Sequence, residues 1–374
     1  MIKTYFKDLW GRIKKLHAIW KILIVLFIMI EIFFVAVSFI RTDYILYTPG
    51  SLQNAHTQVS IFNTDDNSNN LTNPGNIFTV SVFSYDEVSL LQYWVAKSDN
   101  KLLLENKEEN VLNTEEENMR SIVLKKVSLM NSVRYAYTKA NKIDSSINLN
   151  ERYKGVIVSA IIDNKDTDLK PNDVITEVEG IRITSLEHFK EVLNSLLGVS
   201  KFENDYISLK ASTAETTVEG EKSIKIIKEG DRLLLGIIGH DYYTLDGENS
   251  NPKFKINYNP TTDPSGNSGG AMHTLSIYNR LLEKDITYGA AICGTGTINH
   301  DGTIGAIGGI EQKVTKAYLS NAEIFFVGAP NYDEAIKACE LYGYDSSFIK
   351  RVETFDDILK VLEEYNLSKG GENS

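Results

Sequence analysis

Two side chains in this sequence could do covalent chemistry together, Ser268 and Lys313. Ser268 follows the run Asn257-Tyr-Asn-Pro-Thr-Thr-Asp-Pro-Ser-Gly-Asn267, a loop rich in Gly, Asn, Ser and Pro. Beyond it, apolar residues recur at Ala271, Met272, Leu275, Tyr278, Leu281 and Leu282, the period of a helix with one face toward a core. Ser268 therefore stands where a glycine-rich turn becomes a helix N-terminus. Free backbone N–H groups gather there, and those around Gly266, Asn267 and Ser268 could hold a developing oxyanion. A serine hydroxyl is a weak nucleophile and needs a base. Gly305, Gly308 and Gly309 mark a tight turn into another helix, with Lys313 in its first turn. A lysine acts as a base only when neutral, and its unperturbed pKa is about 10.4. Burial lowers that value, and Ile304, Ile307 and Ile310 offer an apolar neighbourhood. Alone, Ser268 would read as a helix cap and Lys313 as a solvated helix residue. Ser265 is a second serine in the same loop. His240, His273 and His300 have no carboxylate at a telling spacing and read as structural or exposed.

The pair carries a family resemblance. Asn267-Ser268-Gly269-Gly270 and Gly308-Gly309-Ile310-Glu311-Gln312-Lys313 resemble the two active-site elements of the Lon proteolytic domain. There a Pro-Ser-Ala-Gly stretch holds the serine and a Gly-Gly-x-x-x-Lys stretch holds the lysine base. Leu275-Ser-Ile-Tyr278 and Gly294-Thr-Gly-Thr-Ile298 are most similar to the membrane-anchored, PDZ-containing Lon-like peptidases of the SepM and YlbL type. Asn267 stands where the family has proline, and Gly269 where it has alanine. The resemblance implies a serine endopeptidase with a Ser268–Lys313 dyad, Thr295 as a hydrogen-bond partner of the lysine amine, and assembly as a homo-oligomer, a hexamer in many Lon-like proteins.

Two other readings stay open. Gly266-Asn-Ser-Gly-Gly270 is similar to the serine motif of trypsin-like and HtrA proteases, and His56 in Asn54-Ala-His56 mimics their histidine. That reading puts the PDZ-like segment on the wrong side of the serine and leaves the Gly-Gly-x-x-x-Lys element without a purpose. The departures at Asn267 and Gly269 also fit a catalytically inactive membrane scaffold that binds partner peptides.

The segment resembling a PDZ domain is residues 145–229. Gly155-Val-Ile-Val-Ser-Ala160 reads as a strand, residues 169–180 as turn, strand and turn, residues 185–197 as a helix, and residues 206–211 and 222–228 as closing strands. Lys170-Pro-Asn-Asp173 stands for the usual Gly-Asp turn. The resemblance implies that an extended peptide adds to a sheet edge beside the helix, with Lys154, Gly155 and Val156 in the loop that holds a terminal carboxylate. The alternative role is a wall or spacer.

The remaining elements must position these groups. Residues 1–21 are basic, and residues 22–40 are an apolar run interrupted by Glu31 and Ser38, long enough to span a bilayer. After Arg41 the next Lys or Arg is Lys97, so the positive-inside bias puts the N-terminus in the cytoplasm and the remainder outside. A cleaved signal peptide is the alternative. Residues 41–141 are expected to form the first part of an α+β Lon-like protease domain and residues 230–367 its catalytic part, with the PDZ-like segment inserted between them and 368–374 a tail. Within the first part, Tyr47-Thr-Pro-Gly50 reads as a turn, residues 56–62 as a strand, 63–75 as a polar loop, 77–83 as a strand, the glutamate-rich residues 103–119 as a solvated or mobile face, and 121–140 as a helix with Ile122, Leu129, Val133 and Ala136 inward. In the last part, residues 233–238 and 323–327 read as strands and 333–341 and 355–365 as helices.

The net charge of −11 offers no basic patch for nucleic acid beyond the N-terminus. The two cysteines, Cys293 and Cys339, lie in apolar contexts and read as buried thiols. No Cys/His cluster has metal-ligand spacing, and no phosphate-binding loop motif occurs, so no cofactor or ATP motor is expected. The expected substrates are therefore peptides, or unfolded segments of proteins, near the membrane.

Overall fold

In a computed structural model, the described residues are 11, 17–62, 76–99, 101–107, 112–162, 166–196, 206–229 and 232–370. The expected polar loop 63–75 and most of the basic N-terminal segment lie outside them. Two compact units divide the chain, residues 1–48 with 83–110, and residues 49–82 with 111–374.

In the first unit, helix α1 (Ala18–Phe39) is apolar apart from Lys21, Glu31 and Ser38, and buries only Val37. It is long and apolar enough to cross a membrane, and a signal sequence near the N-terminus would have the same character. Phe33 on α1 stacks on Trp94 of α2 (Leu90–Ser98) with ring centroids 6.2 Å apart. A capping box between Ser89 and Gln92 starts α2. The opening of strand β1 (Tyr44–Asn54) pairs antiparallel with β4 (Leu103–Asn106).

The second unit is built on two sheets and helix α3 (Thr114–Asn141). The glutamates of residues 115–117 are the first turn of α3. Asn113 and Glu116 close a capping box there, and the acidic turn complements the helix dipole. One sheet runs β18-β17-β14-β3-β1, where β3 is Asn76–Tyr85, β14 Ala291–Thr295, β17 Ile324–Gly328 and β18 Ile349–Val352. Strands β3, β14, β17 and β18 are parallel. Residues 47–50 form no turn, because they continue β1. A Cβ on Gly50 would lie 2.4 Å from the Ser81 carbonyl oxygen, so this glycine serves the close approach of β1 to β3. Residues 56–62 divide into a 3₁₀ turn, Ala55–Gln58, and β2 (Val59–Phe62), which pairs with β13 (Lys253–Ile256).

Leu129, Val133 and Ala136 of α3 share one core with Met272 and Leu275 of α5 (Gly270–Leu281) and with Phe355 and Ile358 of α8 (Phe355–Ser368). Chain segments from before residue 147 and after residue 254 thus condense together. Val123, rather than Ile122, is the buried residue at the start of α3. Helices α6 (Ile310–Leu319) and α7 (Tyr332–Tyr342) pack with β17 around a second cluster that contains Cys293 and Cys339, both free and buried. The short strands β15 (Thr297–Ile298) and β16 (Ile304–Gly305) pair between them.

The other sheet is antiparallel and runs β12-β5-β6-β8-β9, with β7 beside β6. Its strands are β5 (Glu151–Ile161), β6 (Asp173–Val178), β7 (Ile181–Arg182), β8 (Tyr206–Thr213), β9 (Gly220–Lys225) and β12 (Ile237–Leu245), and α4 (Leu186–Ser195) packs on its separate core. The small ribbon β10 (Ile227–Glu229) and β11 (Arg232–Leu234) precedes β12. Residues 233–238 are not one strand. Gly236, at φ +62°, breaks β11 from β12, and β12 carries this sheet on to Leu245, past the boundary at 229. Val123, Val127 and Met130 of α3 pack against Ile157 and Val174, so the helix is shared by both sheets.

Candidate active site

Ser268 is held from below by α3 and from the side by β14. Three α3 positions on one face meet the serine loop. The Ser121 carbonyl accepts from the Gly266 N–H at 2.8 Å, Ser128 Oγ donates to the Asn267 carbonyl at 3.2 Å, and Ser132 Oγ donates to the Gly270 carbonyl at 3.1 Å. On the β14 side, the Ser268 carbonyl accepts from the Gly296 N–H at 2.7 Å and from Thr295 Oγ1 at 3.1 Å. Such close seating explains the glycines after the serine. A Cβ on Gly269 would come within 2.9 Å of Thr79 Cγ2 and 3.0 Å of His273 Nε2, and one on Gly270 within 2.9 Å of the Ile298 nitrogen. Alanine at 269 has no room.

These bonds also aim the backbone donors. In a trans peptide the C=O and N–H point opposite ways. With the Asn267 carbonyl turned to α3, the Ser268 N–H points away from that helix. With the Ser268 carbonyl turned to Thr295 and Gly296, the Gly269 N–H points away from β14. Neither N–H meets an acceptor among the described residues. The Gly266 N–H is already bonded to Ser121, which removes it from the expected oxyanion donors and leaves the N–H groups of Ser268 and Gly269 as the candidates. Ser268 itself is half-buried, and Ser265 is exposed.

Lys313 lies in the first turn of α6, entered through Gly309 at φ +68°. Its side chain is 4% exposed, and Nζ donates to Thr295 Oγ1 at 3.3 Å. Thr295 therefore accepts from the lysine amine and donates to the peptide of Ser268. Burial pulls the Lys313 amine down from 10.5 to about 7, opposed by the carboxylate of Glu334. An amine of this kind is substantially neutral near physiological pH and can take a hydroxyl proton.

His56 is placed differently. It lies in the 3₁₀ turn, its Nδ1 bonded to Asn54 Oδ1, and burial followed by the Arg280 charge lowers its pKa. Its partner is an amide, where a Ser-His-Asp triad needs a carboxylate. Lys154, Gly155 and Val156 do not form an open loop. They lie within β5, where Val156 faces Asp241 of β12 on one side and Ile175 of β6 on the other. Lys154 Nζ donates to the carbonyls of Thr213, Ala214 and Thr216 at 2.7, 2.8 and 2.7 Å. At Gly155 and Val156 one edge of β5 is taken up by pairing with Tyr242 and Asp241 of β12.

Lys125 is a functional candidate that escaped the sequence reading, and its partner His273, expected to be structural or exposed, is buried. Lys125 lies on α3 between Ser121 and Ser128, 5% exposed, and its Nζ is 2.8 Å from His273 Nε2. Burial lowers the Lys125 amine from 10.5 to about 8, against the attraction of Asp263. Burial, and then the Lys125 charge, hold His273 well below its ordinary value and so neutral. The signal lay in helical spacing, which puts Lys125 on the face that carries Ser121 and Ser128. Among the described residues no three His, Cys, Asp or Glu side chains converge as a metal site. No protein-family model matches the chain, and a search of curated proteins finds no match for it.

Proposed function

We propose that the chain is an ATP-independent serine endopeptidase, anchored by α1, with Ser268 as nucleophile and Lys313 as general base. The observation that carries this reading is the Lys313 amine, buried, held near pKa 7, and bonded to the threonine hydroxyl that also bonds the Ser268 peptide. Lys313 takes the Ser268 proton as Oγ attacks a peptide carbonyl. The N–H groups of Ser268 and Gly269 receive the oxyanion, and the protonated amine then returns its proton to the leaving nitrogen. The resemblance of the serine and lysine elements to Lon-type peptidases agrees with this assignment. The basic N-terminus favours a cytoplasmic start and an extracellular catalytic domain. Peptides and unfolded segments near the membrane are the substrates, and the β5–β12 sheet serves as a wall against α3.

The test is cleavage of a pool of unstructured peptides by the full chain in detergent micelles. Ser268→Ala and Lys313→Met should each lower the rate by roughly a thousandfold or more, while His56→Ala retains it. Cleavage by Ser268→Ala at the unmodified rate would sink the proposal.

A further inference from the structure

The site holds a second buried lysine that the dyad does not use. Lys125 lies under the serine loop on the helix face whose neighbouring positions, Ser121 and Ser128, bond Gly266 and Asn267. Its partner ring, His273, reaches within 3.0 Å of where a Gly269 Cβ would be. The amine thus lies on the helix face that bonds Gly266 and Asn267, and its ring partner packs against Gly269; residues 266–269 are the segment whose N–H groups receive the oxyanion in the reading above. The charged or titratable neighbours that act on it are Asp263 from the loop and His273 from α5. Asp263 is itself tied to the loop and the 3₁₀ turn, accepting from the Asn259 N–H at 2.9 Å and from Gln58 Nε2 at 3.3 Å. Among the described residues no ion pair within 4 Å joins Asp263 to Lys125, so the amine's direct partner is the neutral ring of His273. A cation retained in a buried site at such cost serves best where negative charge develops nearby.

We propose that the Lys125 ammonium, oriented by its bond to His273 Nε2, stabilises the oxyanion at Ser268 through the intervening loop. The inference rests on the Ser268–Lys313 reading and adds to it an opposite protonation requirement. Lys313 must be neutral and Lys125 charged. The carboxylate that acts on Lys313 is Glu334, and the one that acts on Lys125 is Asp263. The profile of kcat/KM against pH is then a narrow bell, rising through about 7 as Lys313 loses its proton and falling through about 8 as Lys125 loses its own. Lys125 touches no reacting atom in this scheme and is a positioning residue that acts by its field.

The experiment is the pH profile of peptide cleavage by the full chain in micelles, for the unmodified protein, Lys125→Met and Lys125→Arg, with folding checked by circular dichroism. Lys125→Met should be slower by roughly ten- to thirty-fold at pH 7.5, the effect of one nearby unit charge at intermediate dielectric. It should keep the rise near 7, lack the fall near 8, and converge with the unmodified protein at high pH. Lys125→Arg, whose charge persists, should stay active past pH 9, and it decides the matter if the Met variant does not fold. A fall near 8 that survives in Lys125→Met, or that survives in Lys125→Arg, overturns the proposal while leaving the dyad in place. Complete loss in Lys125→Met with activity retained in Lys313→Met makes Lys125 the base and overturns both readings. No cleavage by the unmodified protein removes the Ser268 reading, and this inference with it.

Discussion

Replacing Lys313 by methionine should stabilise the folded chain, and by an amount that depends on pH. The amine is 4% exposed and its pKa falls from 10.5 to about 7 on burial. The sign follows from proton counting. Between these two values the unfolded chain binds a proton that the folded chain does not, so stability rises as pH climbs from about 7 to 10.5. Below 7 both states are charged and the folded state bears the full cost of the buried cation. At about 1.4 kcal/mol per pH unit, that cost is roughly 5 kcal/mol. Methionine removes it and fills nearly the same volume, at the loss of the Lys313–Thr295 hydrogen bond, about 1 kcal/mol. The expected gain is about 4 kcal/mol at pH 6, and it shrinks by about 1.4 kcal/mol per pH unit from 7 upward, nearly vanishing by pH 10. Urea unfolding of the full chain in micelles, followed by circular dichroism at pH 6, 8 and 10, measures this directly. A gain that is the same at all three pH values would refute the claim that Lys313 is held neutral by burial, and with it the choice of Lys313 as base.

Thr295→Val removes the hydroxyl shared by the Lys313 amine and the Ser268 peptide while keeping the volume of the side chain. Steady-state cleavage should show kcat lowered by roughly ten- to a hundredfold from misplacement of the dyad, with KM little changed; a change in KM alone would make Thr295 a substrate contact. Gly269→Ala restores the residue usual in Lon-type elements, yet it drives a methyl against Thr79 Cγ2 and His273 Nε2. A loss of about 1–3 kcal/mol is expected in thermal unfolding, partly recovered by adding Thr79→Ser, and an unchanged melting temperature would contradict the packing described for the serine loop.

Local signals were legible wherever chain neighbours decide the structure. The apolar run that forms α1, the glycines that admit α5 and α6, and the period that turns Leu129, Val133 and Ala136 inward are properties of adjacent residues, and a linear reading finds them. The glutamates at 115–117 were legible as exposed but not as a helix start, since an acidic run reads alike in a solvated loop and in a first turn until the cap at Asn113 closes on Glu116. Gly50 was misread because a glycine in a turn and a glycine pressed against a neighbouring strand look alike until that strand is placed.

Residue type and spacing by themselves determined that Ser268 and Lys313 would each open a helix behind a glycine turn, and that a membrane-length helix would precede them. Only the tertiary structure decided which groups share a site. It brought Lys125 of α3 and His273 of α5 together at 2.8 Å, joined Lys313 to the Ser268 peptide through Thr295, and filled the edge of β5 with β12. The reason is physical: burial and its effect on an amine depend on what the remote chain packs around it, and no local pattern encodes that enclosure.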